Sequence, residues 1–256
     1  MRISVITVCL NAGSHIEQAL SSVASQSWYN VEHIVVDGGS TDNTLSLIRN
    51  AAELNPNLRL ISGQDTGISD AMNKGLAMTT GDVVAFLHAD DYYHDKRLLE
   101  MVALIFSEKP ELMWLTGGMH HVDTQGGVIR TFPVRRWSYS RLLRGNIIFH
   151  PATFVRRQRL LDAGGFDTGL RYVMDYDLWL RLGKASAPYL LDQPLACFRV
   201  HPGSRSVLQI DEAFREEFTV RCRYLASKPI QKILHRIYFG LKFFPNRLSV
   251  SHGHGI

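Results

Sequence analysis

At 256 residues, with 45% hydrophobic and 20% charged positions, the chain is long enough for one large α/β core and is no low-complexity or disordered polymer. No apolar run reaches membrane-spanning length, and Met1 to Val8 leads straight into a strand pattern rather than a signal peptide, so a cytoplasmic protein is expected. Cys9, Cys197 and Cys222 lack CxxC spacing and the 11 histidines form no metal-spaced set, so neither a disulfide framework nor a zinc site is suggested. The net charge of +4 is uneven. All 24 acidic residues precede position 218, while seven of the 28 basic ones lie from Arg221 onward, leaving 21 basic residues against 24 acids in the body and a strongly basic tail. Nothing points to nucleic acid as a partner.

Taken in order, Ile3 to Val8 is a short β-branched run followed by the turn residues Asn11-Ala12-Gly13. Ser14 and Glu17 have capping-box spacing, and Ile16, Leu20 and Val23 recur at helical period. Glu32 to Val36 predicts a second strand, ending in Asp37-Gly38-Gly39-Ser40-Thr41-Asp42, where Ser40 or Thr41 can cap the helix containing Leu45 and Ile48. Leu58 to Ile61 reads as a strand, Ile68 to Met78 as a helix and Val83 to Leu87 as a strand buried on both faces. This alternation predicts a mostly parallel, doubly wound sheet, which binds ligands at the carboxyl ends of its strands.

Two carboxylate features sit at such ends. Asp37 tops the second strand, either as a nucleotide-binding acid or as a turn former before two glycines. His88-Ala89-Asp90-Asp91 tops the fourth, where the acids either hold a cation or begin the next helix. Further on, Asp95 can cap a helix through Ile105, and Leu112 to Thr116 predicts a strand ending at Gly117-Gly118, with Val128 to Phe132 as its antiparallel partner. Trp137 to Ile148, with Arg135, Arg136, Arg141 and Arg144, reads as a loop or short helix at the mouth of an anion site, or as a solvated basic face. His150 to Val155 predicts a strand, Arg157 to Ala163 a helix stopped by Gly164-Gly165, and Asp175 to Asp177 the start of another helix.

Together these stretches resemble the family 2 glycosyltransferases. The resemblance rests on Ser4 to Val8 with Asn11, Val35 to Asp42, Asp65-Thr66-Gly67 through Gly75, Gly81-Asp82, Ala89-Asp90-Asp91, His150 to Thr153, Gly164 to Asp167, Asp175 to Leu182 and Arg199 to Ser204, in family order. It covers residues 1–205, expected as a GT-A catalytic domain with a nucleotide half over 1–117 and an acceptor half over 118–205. That fold implies a Rossmann-like, mostly parallel sheet with a small antiparallel acceptor-side portion. Residues 206–256 are expected to form a basic helical extension.

The resemblance implies transfer of a sugar, with inversion, from a nucleotide diphosphate donor, a UDP-sugar being favoured, to a glycan or lipid-linked acceptor. It assigns the nucleotide side to Thr7, Asn11, Asp37, Asp65, Lys74 and Asp90. Asp91 becomes the ligand of Mn²⁺ or Mg²⁺, hard cations that suit carboxylate and diphosphate oxygens. Asp175 becomes the general base, with an ordinary carboxylate pKa of about 4 expected. His201 is either a metal or diphosphate contact or a surface histidine. Three positions depart from the family: Met174 where an acid is frequent, Leu10 where Tyr is frequent, which weakens the claim for uridine, and His88 where Asn is frequent.

Ile230 to Phe244 combines Ile233, Ile237, Leu241 and Phe244 at helical spacing with Lys232, Arg236 and Lys242. Such a helix suits either an anionic membrane surface or packing on the body. Among rival functions, a sugar nucleotidyltransferase is disfavoured because Cys9 to Ser14 has no Lys or Arg, and an oxidoreductase because no GxGxxG follows a strand. A catalytically inactive sugar-nucleotide-binding or scaffold protein of the same fold is the remaining alternative.

Overall fold

Four strands form the frame: β1 (Ile3–Cys9), β2 (Val31–Asp37), β3 (Leu58–Ser62) and β4 (Val83–Phe86). They lie parallel in the order β3-β2-β1-β4. The computed structural model describes residues 1–201, 209–225 and 233. Between the strands run α1 (Ile16–Ala24), α2 (Thr44–Leu54) and α3 (Ile68–Met78). The strand pleat sorts side chains between two layers. Ile6, Val8, Ile34 and Val36 pack with Met72 and Leu76 of α3, whereas Ile3, Val5, Val83 and Ala85 pack with Val102 and Phe106 of α4 (Leu98–Glu108). At the amino ends, buried Glu32 ties β1, β2 and β4 together by accepting from the Ser4 hydroxyl at 2.6 Å and from the Thr80 and Gly81 amides at 2.6 and 3.0 Å. At the other end, Cys9, Asp37 and Ser62 stand level in neighbouring strands, which is where side chains from three loops can meet.

Beyond β4 the sheet turns antiparallel through β7 (Thr153–Arg156), which pairs with β4 and with the start of β5 (Trp114–Val122). The end of β5 pairs antiparallel with β6 (Val128–Phe132), and β8 (Tyr189–Arg199) runs parallel to β5. The expected mostly parallel sheet with a small antiparallel portion is therefore present. Short α5 (Tyr139–Leu142) and α6 (Arg157–Asp162) precede α7 (Met174–Ala185), and α8 (Ile210–Tyr224) packs beside α7. No helix among the described residues is long and apolar enough to cross a membrane. The basic helix expected over 230–244 lies outside the described residues, Ile233 excepted.

Several local expectations need correction. The Ser14–Glu17 capping box does not form: α1 starts at Ile16, and the chain already turns at Ala12, whose carbonyl accepts from both His15 and Ile16 amides. Helix α2 starts at Thr44, so neither Ser40 nor Thr41 is its cap. Gly117-Gly118 does not end β5 but lies within it. A Cβ at Gly117 would sit 2.4 Å from Leu195 Cγ, and one at Gly118 2.7 Å from the Phe132 carbonyl, so the pair marks close approach of β8 and β6 rather than a turn. His150 to Ala152 is a 3₁₀ turn preceding β7 rather than part of a strand. The Arg135–Arg144 segment resolves into α5, with Leu142 and Leu143 buried and the arginines exposed.

Candidate active site

A cleft of about 680 Å³ opens at the carboxyl ends of the parallel strands. One wall is the loop from Cys9 to His15 with Asp65, Gly67 and Ile68. Its floor is His88 to Asp91, and its far wall is Arg171 to Asp175 with Phe198, His201 and Ala213.

On the first wall the β1 and β2 loops are stitched together. Asn11 sits at φ 52° and accepts the Thr41 amide at 2.8 Å, while its own amide donates to Ser40 Oγ at 2.8 Å. Asn tolerates this left-handed geometry better than most residues. Asp37 is fully buried and accepts from the Gly39 and Ser40 amides, both at 3.1 Å, and from the Ser62 hydroxyl at 2.9 Å. Burial opposes its ionisation, but these hydrogen bonds outweigh it and hold the carboxyl below its ordinary range. Asp37 is thus occupied in shaping the loop, and it does not line the cleft. Nor do two other expected nucleotide residues. The Thr7 hydroxyl is buried against His33 Nε2 at 2.9 Å, and Lys74 bridges Asp70 and the Gln64 carbonyl, both at 3.0 Å. Asp65 does line the cleft, with Oδ1 accepting the Gly67 amide at 2.9 Å. The space its carboxylate takes is left by Gly38, where a Cβ would lie 2.4 Å from Asp65 Oδ2. Leu10, half exposed, lies at the same rim.

Asp90 and Asp91 do not begin the next helix, because α4 starts only at Leu98, with Asp95 Oδ1 accepting the Arg97 amide. Asp91 is 1% exposed. Its Oδ1 accepts the Arg199 amide at 3.2 Å, and its Oδ2 is buried with no hydrogen-bond partner among the described residues. Burial, then the neighbouring Asp90, push its pKa well above the carboxylate range, and Arg199 offsets this only in part. A buried carboxylate oxygen without a donor is costly, and a hard divalent cation would satisfy it. Among the described residues no three His, Cys, Asp or Glu side chains could enclose a metal, so an ion here would need oxygen ligands from elsewhere, such as substrate phosphates. Asp90 Oδ2 lies 3.2 Å from His201 Nε2, and the His201 ring is 5.3 Å from that of His15. His88 stacks on half-buried His150 at 4.9 Å and 11°. The buried Arg199 side chain holds this region in place by donating to the carbonyls of Asp90, Asp123 and Thr124 and to Gln18 Oε1.

On the far wall, Asp175 is the second residue of α7. Its Oδ2 accepts from Asn146 Nδ2 at 3.0 Å and its Oδ1 from the Tyr176 amide at 2.7 Å. Its ordinary-pKa expectation is not met. Burial raises it to about 6, with Glu217 adding to the shift, although the two hydrogen bonds favour the ionised form. Sequence reasoning missed Asn146 and Glu216, which reach the α7 start from distant segments.

A mostly parallel sheet with an antiparallel portion, and a cleft lined by Asp65, Asp90, Asp91 and Asp175 at the carboxyl ends of its parallel strands, place the chain in the GT-A class of fold. Residues 1–349 of the Staphylococcus aureus protein TarS, solved with UDP-GlcNAc, superpose with a TM-score of 0.69 at 19% identity, over 88% of this chain and 67% of that one. The mannosyltransferase PcManGT of Pyrobaculum calidifontis, solved with GDP-Man and Mn²⁺, gives 0.66 at 21% identity over 100% of this chain and 76% of that one. Residues 4–163 match Glycosyl transferase family 2, and the chain belongs to that family. Among curated relatives, the PGL/p-HBAD biosynthesis glycosyltransferase of Mycobacterium bovis (strain BCG / Pasteur 1173P2) is 34% identical over 188 residues, 70% of this chain and 68% of that protein. The O-antigen biosynthesis protein RfbC of Myxococcus xanthus is also 34% identical over 188 residues, but this chain, matched over 72% of its length, spans only 15% of that protein.

Proposed function

We propose that this chain transfers a sugar, with inversion, from a nucleotide diphosphate donor to a hydroxyl of a glycan or lipid-linked precursor of a cell-surface polysaccharide or glycolipid. The observation that carries the reading is that one cleft is lined both by Asp91, whose buried Oδ2 has no partner among the described residues, and by Asp175 with its raised pKa. The relatives' names in O-antigen and PGL biosynthesis support the product class.

Asn11 and Asp65 would hold the nucleoside, while Asp37 keeps their loops in shape. Asp91 would hold Mg²⁺ or Mn²⁺ together with the donor diphosphate, and Asp90 would lie toward the sugar or ribose. When bound, that cation stabilises charge developing on the leaving diphosphate. Asp175, oriented by Asn146, takes the acceptor hydroxyl proton as the new C–O bond forms on the face opposite the breaking one. The nucleoside diphosphate leaves with the bonding electron pair. A carboxylate whose pKa is about 6 is a better proton acceptor than an ordinary aspartate and is still ionised at neutral pH.

The resemblance favours a UDP-sugar; TarS was solved with a uridine nucleotide and PcManGT with a guanosine one, and both bases belong in the donor panel. Residues 228–256 supply a proposed peripheral contact with the cytoplasmic face of an anionic membrane, where a lipid-linked acceptor would be met. The reading is tested by a panel of UDP- and GDP-sugars with Mn²⁺ or Mg²⁺, followed by thermal shift and donor hydrolysis. One sugar nucleotide should stabilise the protein and turn over in a metal-dependent way. A panel with neither stabilisation nor hydrolysis would reject it.

A further inference from the structure

The far wall of the cleft depends on a contact that the reaction scheme leaves unused. Glu216 of α8 directs its carboxylate at the chain entering α7: Oε1 accepts the Arg171 amide at 3.0 Å, and Oε2 accepts the amides of Tyr172 at 2.7 Å and Val173 at 3.0 Å. Val173 is the residue at which α7 begins to wind, and its side chain offers no capping acceptor. Amides at a helix start need acceptors, and the helix dipole favours an anion there. Asp175 and Asp177 supply acids within the first turn, and Glu216, more than 40 positions further along the chain, adds a carboxylate on the amides that lead into it. Arg171, Tyr172 and Asp175 line the cleft, as does Ala213, one turn before Glu216 on α8. Position 174, where the family frequently places an acid, is buried Met174.

We propose that Glu216 is a positioning residue for Asp175: by fixing the turn that enters α7, it aims the Asp175 carboxylate at the acceptor hydroxyl. The inference rests on the reading of Asp175 as the base. Three hydrogen bonds to one carboxylate restrict the turn in both displacement and rotation, and charge-assisted bonds of this kind are stronger than neutral ones. Removing them releases three amides to water and lets the first turn of α7 shift, and a displacement of about 1 Å at a reacting group can cost ~100-fold in rate. Because Arg171 and Tyr172 line the same cleft and Ser69 of α3 donates to the Leu170 carbonyl at 3.1 Å, nucleotide affinity is read separately from turnover.

The test compares Glu216→Ala and Glu216→Gln in the full chain. The readouts are turnover of the donor identified by the nucleotide-sugar panel, affinity for UDP and GDP with Mn²⁺ by calorimetry, and thermal melting. Glu216→Ala should lower kcat about 10- to 100-fold with donor KM and nucleotide affinity within about twofold. Glu216→Gln keeps an acceptor oxygen and should recover most of the loss. Unchanged kcat in Glu216→Ala would overturn the proposal. So would parallel losses of kcat and nucleotide affinity with Glu216→Gln no better than Glu216→Ala, which would mark general loosening of the fold. Asp175→Asn is measured alongside. Near-normal turnover in that variant removes the base reading and this proposal with it, whereas an inactive Asp175→Asn beside a normal Glu216→Ala overturns only the positioning role.

Discussion

Asn146 Nδ2 donates to Asp175 Oδ2 at 3.0 Å, joining the arginine-rich segment before β7 to the first turn of α7. This bond favours the carboxylate while burial opposes it, so the pair sets the pH at which Asp175 ionises, and on the proposed role as base it sets the pH dependence of turnover. Turnover should rise with pH through about 6 and level above it, and Asn146→Ala should move that limb upward. The stability sign is opposite. A folded pKa above the unfolded one means the native state binds more protons between about 4 and 6, so this group's contribution to stability falls as pH rises through that window. Asp175→Asn should therefore retain nucleotide binding, lose transfer by ~10³-fold or more, and melt no lower than the wild type at pH 8. pH–rate profiles and melting curves of the three proteins check this.

Asp91→Ala removes a buried carboxylate one of whose oxygens has no donor among the described residues, but it also takes the acceptor from the buried Arg199 amide, so metal-free protein should lose about 1–2 kcal/mol of stability. The larger cost should fall on the donor complex. In wild type, Mn²⁺ should tighten binding of the nucleoside diphosphate, and in Asp91→Ala that enhancement should vanish. Equal enhancement in both proteins would move the metal elsewhere.

Arg199 serves the carbonyls of Asp90, Asp123 and Thr124 through one planar guanidinium. A lysine has one charged centre and cannot match that spread of acceptors. Arg199→Lys should destabilise by about 3 kcal/mol, since several buried carbonyls lose their donor, and should also slacken the Asp90–Asp91 turn. Chemical denaturation gives the first quantity and metal-dependent nucleotide affinity the second.

The tail prediction rests on charge alone. Five basic residues and no acid lie between Lys228 and Ile256. Deleting 228–256 should release the protein from phosphatidylglycerol vesicles, and raised salt should do the same to the intact chain. Sedimentation with vesicles after the deletion would reject the anchor.

The parallel half of the fold was legible because β1, β2 and β4 are short Val/Ile-rich runs punctuated by loops, and their carboxyl ends located the cleft. What escaped the sequence were contacts set by distant segments. Gly117-Gly118 has the composition of a turn, and only the approach of Leu195 and Phe132 shows why small residues are needed inside a strand. Asp37 carries the same sequence signal whether it meets a ligand or its own loop, and only the structure shows its bonds to Ser62 and Ser40. Glu216 and Asn146 sit in stretches with no motif, and their importance arises from where α8 and the α5 segment come to rest.

Gly38 offers a way to probe the nucleotide wall without touching a charged residue. An added Cβ would fall 2.4 Å from Asp65 Oδ2, a contact that real side chains do not make, so the Asp65 carboxylate must move. The Gly38 amide bond to the Cys9 carbonyl, 2.9 Å, would keep the β1–β2 loops joined, and Asp37 would keep its own partners. Gly38→Ala should therefore melt within a few degrees of wild type while weakening nucleotide binding about tenfold, the scale of one lost hydrogen bond to a charged group. Asp65→Ala should weaken binding by a similar factor, and the double variant should be no worse than either single one, because both changes remove the same contact. Additive losses in calorimetric titrations with UDP and GDP would show that Gly38 acts through the loop backbone instead.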